Sequence, residues 1–381
     1  MNKTYLSYNN IVSSLGFDSE EVVANIVNEN SGLSLVKNET ISSEPFYSSL
    51  ISSEKLIDTF ALLNPNDTYT RLEQMLLVSL KKVIDAAGIP LDERVGLIIS
   101  TTKGNIDVLE KGSSFPEERA YLGNLGKVIK GYFGFKNETI VLSNACVSGV
   151  LAISVAKRYI NQGKFDHVFI TSGDLVTKFI ISGFTSFQAL SDQPCKPYCK
   201  HRTGINIGEV AASVLVTSEE NNLPPEAVLI LGEGSCNDAN HISGPSRTGE
   251  GLVRSVNSAL KEAKIQVSAI DYISAHGTAT TFNDEMEAIA FNRLGLIDVP
   301  LNSLKGYFGH TLGASGLLET IIGMHSLDRN ILFTSLGFSE LGVSEKLNII
   351  TKTTPKKLKT FLKTASGFGG CNTAAIFQKV K

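Results

Sequence analysis

Val141-Leu-Ser-Asn-Ala-Cys-Val-Ser-Gly-Val150 decides how this chain is read. Its first residues form a short apolar run. From Val147 the pattern turns helical, with apolar residues at three- and four-residue spacing as far as Ile160. Cys146 therefore falls on a strand-to-helix turn. A sulfur there lies near unpaired backbone N–H groups and the positive end of a helix dipole. That setting is expected to lower the thiol pKa and favour a nucleophilic thiolate.

A cysteine in apolar surroundings is more often an inert core residue. The C-terminal half of the chain reverses that reading for Cys146. It carries two histidine segments, Ala275-His-Gly-Thr-Ala-Thr280 and Lys305-Gly-Tyr-Phe-Gly-His310, and then Gly367-Phe-Gly-Gly370 near the end. One thiol, two imidazoles and a glycine-rich loop, each on its own turn, form a constellation.

Outward from the cysteine, strand-like runs alternate with helical patterns. Val95-Gly-Leu-Ile-Ile-Ser100, Thr139-Ile-Val-Leu-Ser143, His167-Val-Phe-Ile-Thr171 and Ala211-Ala-Ser-Val-Leu-Val-Thr217 read as buried strands. Residues 70–87 and 147–160 carry helical spacing. Ser218-Glu-Glu-Asn-Asn-Leu-Pro-Pro225 is polar, ends in a double proline, and is the best boundary between two halves, residues 1–222 and 223–381. The second half repeats the style. Strands are expected at 227–231, 272–274, 362–366 and 373–377, and helices at 251–263, 284–293 and 314–327. No literal repeat is visible. Alternation of this kind implies an α/β fold with helices on both faces of parallel sheets. Residues 121–135 are glycine-rich and fit either a dimer contact or a pocket wall.

Composition sets the limits. The chain has 381 residues, 42% of them hydrophobic and 19% charged. Mean hydropathy is slightly positive, at +0.07. This allows a large core and gives no sign of extensive disorder. A net charge of −3 carries no global footprint for nucleic acid. No window approaches the roughly 18 apolar residues of a membrane span, and the N-terminus lacks a signal-peptide core. Five cysteines do not suggest a disulfide framework. A reducing, cytoplasmic compartment is expected.

With these motifs in family order, the chain resembles the β-ketoacyl–acyl-carrier-protein synthases, condensing enzymes of the thiolase fold, and within them the elongating Cys-His-His type. The resemblance runs through Ser14-Leu-Gly16, Ser31-Gly-Leu-Ser34, Ser143-Asn-Ala-Cys146, Gly204-Ile-Asn-Ile-Gly-Glu209, the two histidine segments with Asn283, Asp284 and Glu287, Gly313-Ala-Ser-Gly316, and Ser366-Gly-Phe-Gly-Gly370 with Asn372. It implies two similar α/β halves in a layered α-β-α-β-α subunit. The chain departs from the pattern at Cys199 and Thr203, where the family usually has aspartates, and at Cys371, which displaces the family's asparagine. Those departures suggest a specialised pathway member. The stretch Ile99-Ser-Thr-Thr-Lys-Gly-Asn105 is similar to synthases of aryl-polyene and related pigment pathways.

The implied chemistry is a decarboxylative Claisen condensation. Cys146 would hold the acyl group. The backbone N–H groups of Cys146 and Phe368 would form the oxyanion hole. His276 and His310 would donate to the enolate left by malonyl decarboxylation. Lys305 would be a buried partner of Glu287, tuning the histidines. Phe368 would act as a gate, with Gly367 and Gly369 making its movement cheap. Thr278 and Thr280 would support the first histidine. Acyl carrier protein is the implied partner, in a homodimer or a heterodimer with a related subunit, and no cofactor is implied.

Other readings are weaker. A thiolase or a Cys-His-Asn priming synthase lacks the Lys305-to-His310 pattern. A chain-length-factor-like subunit usually lacks the cysteine. Cys195, Cys199 and His201 lie close together and could bind zinc, but no fourth ligand is evident. Cys236, His167 and His325 read as structural. His241 lies in a loop expected near the pocket, where it could touch substrate.

Overall fold

A computed structural model describes residues 3–238 and 244–380. Eleven strands form one continuous ladder: β1 (Tyr5–Ser13), β2 (Val95–Ser100), β3 (Ile140–Leu142), β4 (His167–Asp174), β5 (Val210–Thr217), β6 (Val228–Asn237), β7 (Tyr272–Ser274), β8 (Pro300–Asn302), β9 (Asn348–Ile349), β10 (Thr360–Gly367) and β11 (Cys371–Lys379). Their spatial order is β9-β8-β7-β10-β11-β6-β1-β5-β4-β2-β3.

This order contains a repeat. The first half runs β1-β5-β4-β2-β3 and the second β6-β11-β10-β7-β8. In each, two antiparallel steps precede two parallel ones. The halves meet where Tyr5 and Leu6 of β1 pair antiparallel with Leu229 and Val228 of β6.

The helices that matter here are α1 (Arg71–Ala87), α2 (Ser148–Asn161), α3 (Lys178–Ser186), α4 (Glu250–Ala263), α5 (Thr281–Arg293) and α6 (Ser315–Arg329). Thr70 and Glu73 form a capping box at the start of α1, and Gly88 in the left-handed region (φ 62°) ends it. α1 packs on β1, β4 and β5, whereas α4 packs on β6, β10 and β11. α2 and α6 pack on each other and on strands of both halves. α6 is buried on every face from Ser315 to Leu327, as a central helix must be. The result is the layered α-β-α-β-α architecture with two similar halves, a thiolase-like fold.

Residues 121–135 form a helix, Leu122–Phe133, despite their glycines. It lies against β3 and α1. A side chain at Gly126 would press on Val141 and Thr139, at 3.0 and 3.3 Å, so a glycine there lets helix and edge strand close up. All five cysteines are free thiols. No helix among the described residues is long and apolar enough to cross a membrane.

Candidate active site

Two turns of matching construction build the site, one from each half. After β3, Ala145 takes a left-handed conformation (φ 46°), and the Asn144 N–H donates to the Ser148 hydroxyl at 2.8 Å. Before α6, Leu312 is left-handed (φ 51°), and the Thr311 N–H donates to the Ser315 hydroxyl at 3.0 Å. Such backbone costs an L-residue on the order of 1–2 kcal/mol and persists only under surrounding constraint.

That constraint is the contact between the two helix N-termini. A Cβ on Gly149 would stand 2.5 Å from the Leu317 nitrogen, and one on Gly316 2.8 Å from the Val150 nitrogen. Only glycine allows this approach. The turns are thereby pressed face to face, and Cys146 Sγ comes to 2.9 Å from His310 Nε2. The other ring nitrogen of His310 lies 2.9 Å from the Ser315 hydroxyl.

His276 enters from the turn after β7. α5 holds that turn through two buried carboxylates. Glu287 accepts from the backbone N–H groups of His276 and Gly277, at 2.9 and 2.7 Å, and from the Tyr198 hydroxyl. Asp284 accepts from the N–H of Thr278 at 2.9 Å and of Ala279 at 3.2 Å. The two imidazole rings sit edge to face, 5.2 Å apart. Cys146 Sγ and one ring nitrogen of each histidine lie within 4.8 Å of one another. Thr278 and Thr280, hydroxyls 2.8 Å apart, line the adjoining cleft.

Lys305 requires a correction. Its ammonium is fully buried and pairs with Glu319 of α6 at 2.6 Å, not with Glu287, and it donates to the His276 carbonyl at 2.8 Å. Glu287 is already taken up by the histidine turn. Glu319 and a second buried lysine, Lys363 of β10, were not picked out from the sequence. Lys363 pairs with the other Glu319 oxygen at 2.6 Å. The available signal was charge at positions whose neighbours all belong inside a helix or strand.

The electrostatics also differ from expectation at the thiol. Burial pushes Cys146 up to about 12, with nearby Cys371 adding to the effect and Lys305 opposing it. The helix end and the Phe368 N–H aimed at the sulfur do not outweigh the loss of water. The resting thiol is therefore protonated. Both histidines lie well below their ordinary value because burial, then Lys305, and further Lys363 penalise the imidazolium; the neighbouring ring contributes at His276.

Phe368 is 37% exposed, stacked on Phe184 of α3 and edge-on to Phe187 just beyond it. Its two glycines play different parts. A Cβ at Gly367 would meet Cys371 Sγ at 2.9 Å and the Cys146 nitrogen at 3.0 Å, so Gly367 provides close approach and not freedom. Gly369 is left-handed (φ 80°) with open space around it. Phe368, Cys146 and both histidines share a cleft of about 440 Å³ whose mouth also carries Phe282.

The departures from the family pattern point in different directions. Cys195 Sγ contacts the Lys305 carbonyl, Cys199 Sγ lies 3.4 Å from the Ser339 hydroxyl, and the exposed His201 faces Glu340. They do not converge on one point. Thr203 lies 2.5 Å from the Ser191 hydroxyl. His167 and His325 are buried against Thr217 and Asn9, and half-buried Cys236 faces the Asn237 carbonyl. His241 lies outside the described residues. Cys146, His276 and His310 form a donor set that a soft metal could use, but the two buried ammonium groups behind the histidines oppose a cation there.

Comparison with known proteins bears on the whole chain. Residues 12–222 match the profile of the β-ketoacyl synthase N-terminal domain, and residues 227–339 that of the C-terminal domain. The chain is 29% identical to a putative mitochondrial 3-oxoacyl-[acyl-carrier-protein] synthase of Schizosaccharomyces pombe, over 80% of each chain. It is 26% identical to 3-oxoacyl-[acyl-carrier-protein] synthase 1 of Escherichia coli, over 97% of each. Among solved structures it is similar to a ketosynthase in complex with its chain length factor from Xenorhabdus doucetiae, with a TM-score of 0.87, 26% identity, and 100% and 98% of the two chains covered.

Proposed function

The chain belongs to the β-ketoacyl synthase family of condensing enzymes, and from that premise we propose that it joins an acyl group held on Cys146 to a malonyl unit delivered on acyl carrier protein, with loss of CO2. The observation that carries this reading is the 2.9 Å approach of His310 Nε2 to Cys146 Sγ, with His276 beside both.

In the loading step, Cys146 attacks the acyl thioester. Its proton leaves through His310 and ends on the departing carrier thiol. The tetrahedral oxyanion lies between the Cys146 and Phe368 N–H groups. The Ser315 hydroxyl can accept from or donate to His310 Nδ1, so the ring can take a proton in this step and present an N–H in the next. In the second step, malonyl thioester loses CO2, and the enolate oxygen accepts from His276 and His310. Neutral imidazoles suit this role, and burial keeps them neutral. The enolate carbon attacks the acyl–Cys146 thioester, and the thiolate leaves and is reprotonated.

Intact mass of the protein after incubation with acyl-carrier substrates tests the reading. An adduct is expected that disappears on adding malonyl-carrier, with a product two carbons longer. Cys146→Ala is expected to form no adduct, His276→Ala to load and then stall, and His310→Ala to be slowed in loading as well as in condensation. Condensation by Cys146→Ala would remove the nucleophile from the mechanism.

The division into residues 1–222 and 223–381 is proposed on the repeated strand order. A cytoplasmic setting is proposed on the five free thiols. Association with a second ketosynthase-like chain is proposed from the half-exposed apolar edge strand β3, and from the Xenorhabdus relative, which is bound to a chain length factor. Whether that second chain is a copy or a distinct subunit is read by co-purification from the native source.

A further inference from the structure

Three consecutive carbonyls lead into the first histidine, and all three face buried ammonium groups. Lys363 Nζ donates to the carbonyls of Ser274 and Ala275, at 3.1 and 3.2 Å. Lys305 Nζ donates to that of His276, at 2.8 Å. One carboxylate, Glu319, bridges the two lysines at 2.6 Å on each side. Lys305 and Lys363 are 0% exposed and Glu319 is 2% exposed.

Burying two ammonium groups for one carboxylate is costly unless each finds several partners. Lys305 suffices to neutralise Glu319. Lys363 shares that carboxylate and otherwise has Glu287 in its field, and both of its hydrogen bonds go to the carbonyls that lead into His276. It stands on β10, whose end carries the Gly367–Phe368 loop, and it reaches across to β7, whose end carries His276. It thus joins the two strands that position the oxyanion donor and the first imidazole.

We propose that Lys363 is a second positioning residue for condensation: it clamps the β7 turn that carries His276 to β10 and places a positive charge behind both imidazoles, where the enolate forms. This rests on the reading of His276 and His310 as enolate donors. The other charged or titratable groups around the pair are Lys305 from its turn, Glu319 from α6, Glu287 and Asp284 from α5, Cys146 from the turn after β3, and Asp174 of β4, which accepts from the Gly313 N–H beyond His310. Changing Lys363 takes one of two partners from Glu319 and a neighbouring positive charge from Glu287, and leaves the contacts of the others in place. Removing its charge makes the imidazolium forms easier to reach, so the histidines should titrate at higher pH.

The test compares wild type, Lys363→Met and Lys363→Arg. Acyl loading is read by intact mass, malonyl-carrier decarboxylation and condensation are followed against pH, and the imidazole resonances are titrated in protein labelled at histidine. Lys363→Met is expected still to load Cys146 to completion. Its condensation should fall about tenfold, the scale of one pKa unit of lost bias, with the acid limb and both imidazole titrations moved to higher pH. Lys363→Arg should restore the wild-type profile. A Lys363→Met protein with the wild-type acid limb and imidazole titrations would overturn the proposal. Should Lys363→Met not fold, Lys363→Gln is carried through the same titrations. Failure of the wild-type protein to load or condense would count against the function reading, whereas the imidazole titrations judge Lys363 independently of substrate.

Discussion

Around Cys146, burial decides what each group does. The sequence pointed to the thiol through its place at a helix start, and to both histidines through their glycine-flanked turns. It could not give the sign of the thiol shift, because a helix dipole contributes locally while desolvation depends on everything packed around the sulfur. The resemblance gave Lys305 the partner Glu287, whereas packing brings Glu319, in the middle of α6, to the ammonium. Lys363 passed as an ordinary strand residue. Two outcomes are expected at this scale. Both histidines are depressed by burial, so they stay neutral as pH falls through their ordinary value near 6.5. The decarboxylation rate should therefore stay level across pH 6.5 and drop only below it; a midpoint at 6.5 would contradict the buried, neutral pair. Gly367→Ala places a methyl within 3.0 Å of the Cys146 nitrogen. It should cost about 1–3 kcal/mol in denaturant stability, as overpacking does, and lower acyl loading by intact mass more than carrier binding.

Among the elements, those with strong periodicity were legible. Residues 95–100 form the expected strand, and residues 71–87 the expected helix. β1 was missed although it joins the halves. Its centre, Tyr8-Asn-Asn-Ile11, puts two asparagines where strand propensity is low; Asn10 is buried and Asn9 is taken up by Ser19 and Glu226. β8 begins with a proline and is three residues long, too short to show a period. Two similar halves were legible in the style of the pattern, but not which residues correspond. Ser148-Gly-Val150 and Ser315-Gly-Leu317 are equivalent, but three residues are no signal until both are seen capping the same kind of turn. The glycines in those triplets yield a prediction. Gly149→Val forces a branched side chain against the Leu317 nitrogen. It should separate α2 from α6, cost more than about 3 kcal/mol, and abolish loading even where circular dichroism shows a folded protein.

Across the whole molecule, His325 links the halves. It sits on α6 and its Nε2 lies 3.2 Å from Asn9 of β1. Burial, aided by Arg329, lowers it to about 4. The unfolded chain takes up a proton near pH 6.5, which the folded one refuses until about 4, so stability present above pH 6.5 is lost as pH falls through that window. The loss amounts to about 3 kcal/mol at most. His325→Gln should flatten this part of the curve in urea titrations at stepped pH; an unchanged slope would show that His325 is not its source.

The pairing of the two turns also sets a timetable for the protein's own synthesis. Cys146 leaves the ribosome 164 residues before His310, and Lys363 and the Phe368 amide follow later still. Until α6 has been made there is nothing to press against the turn after β3, and in the proposed mechanism the thiol then has neither a proton acceptor nor an oxyanion hole. A nascent or truncated chain therefore carries the nucleophile in unreactive form. On the proposed mechanism, acyl thioesters are safe from it until α6 and the Gly367–Phe368 loop have both been made.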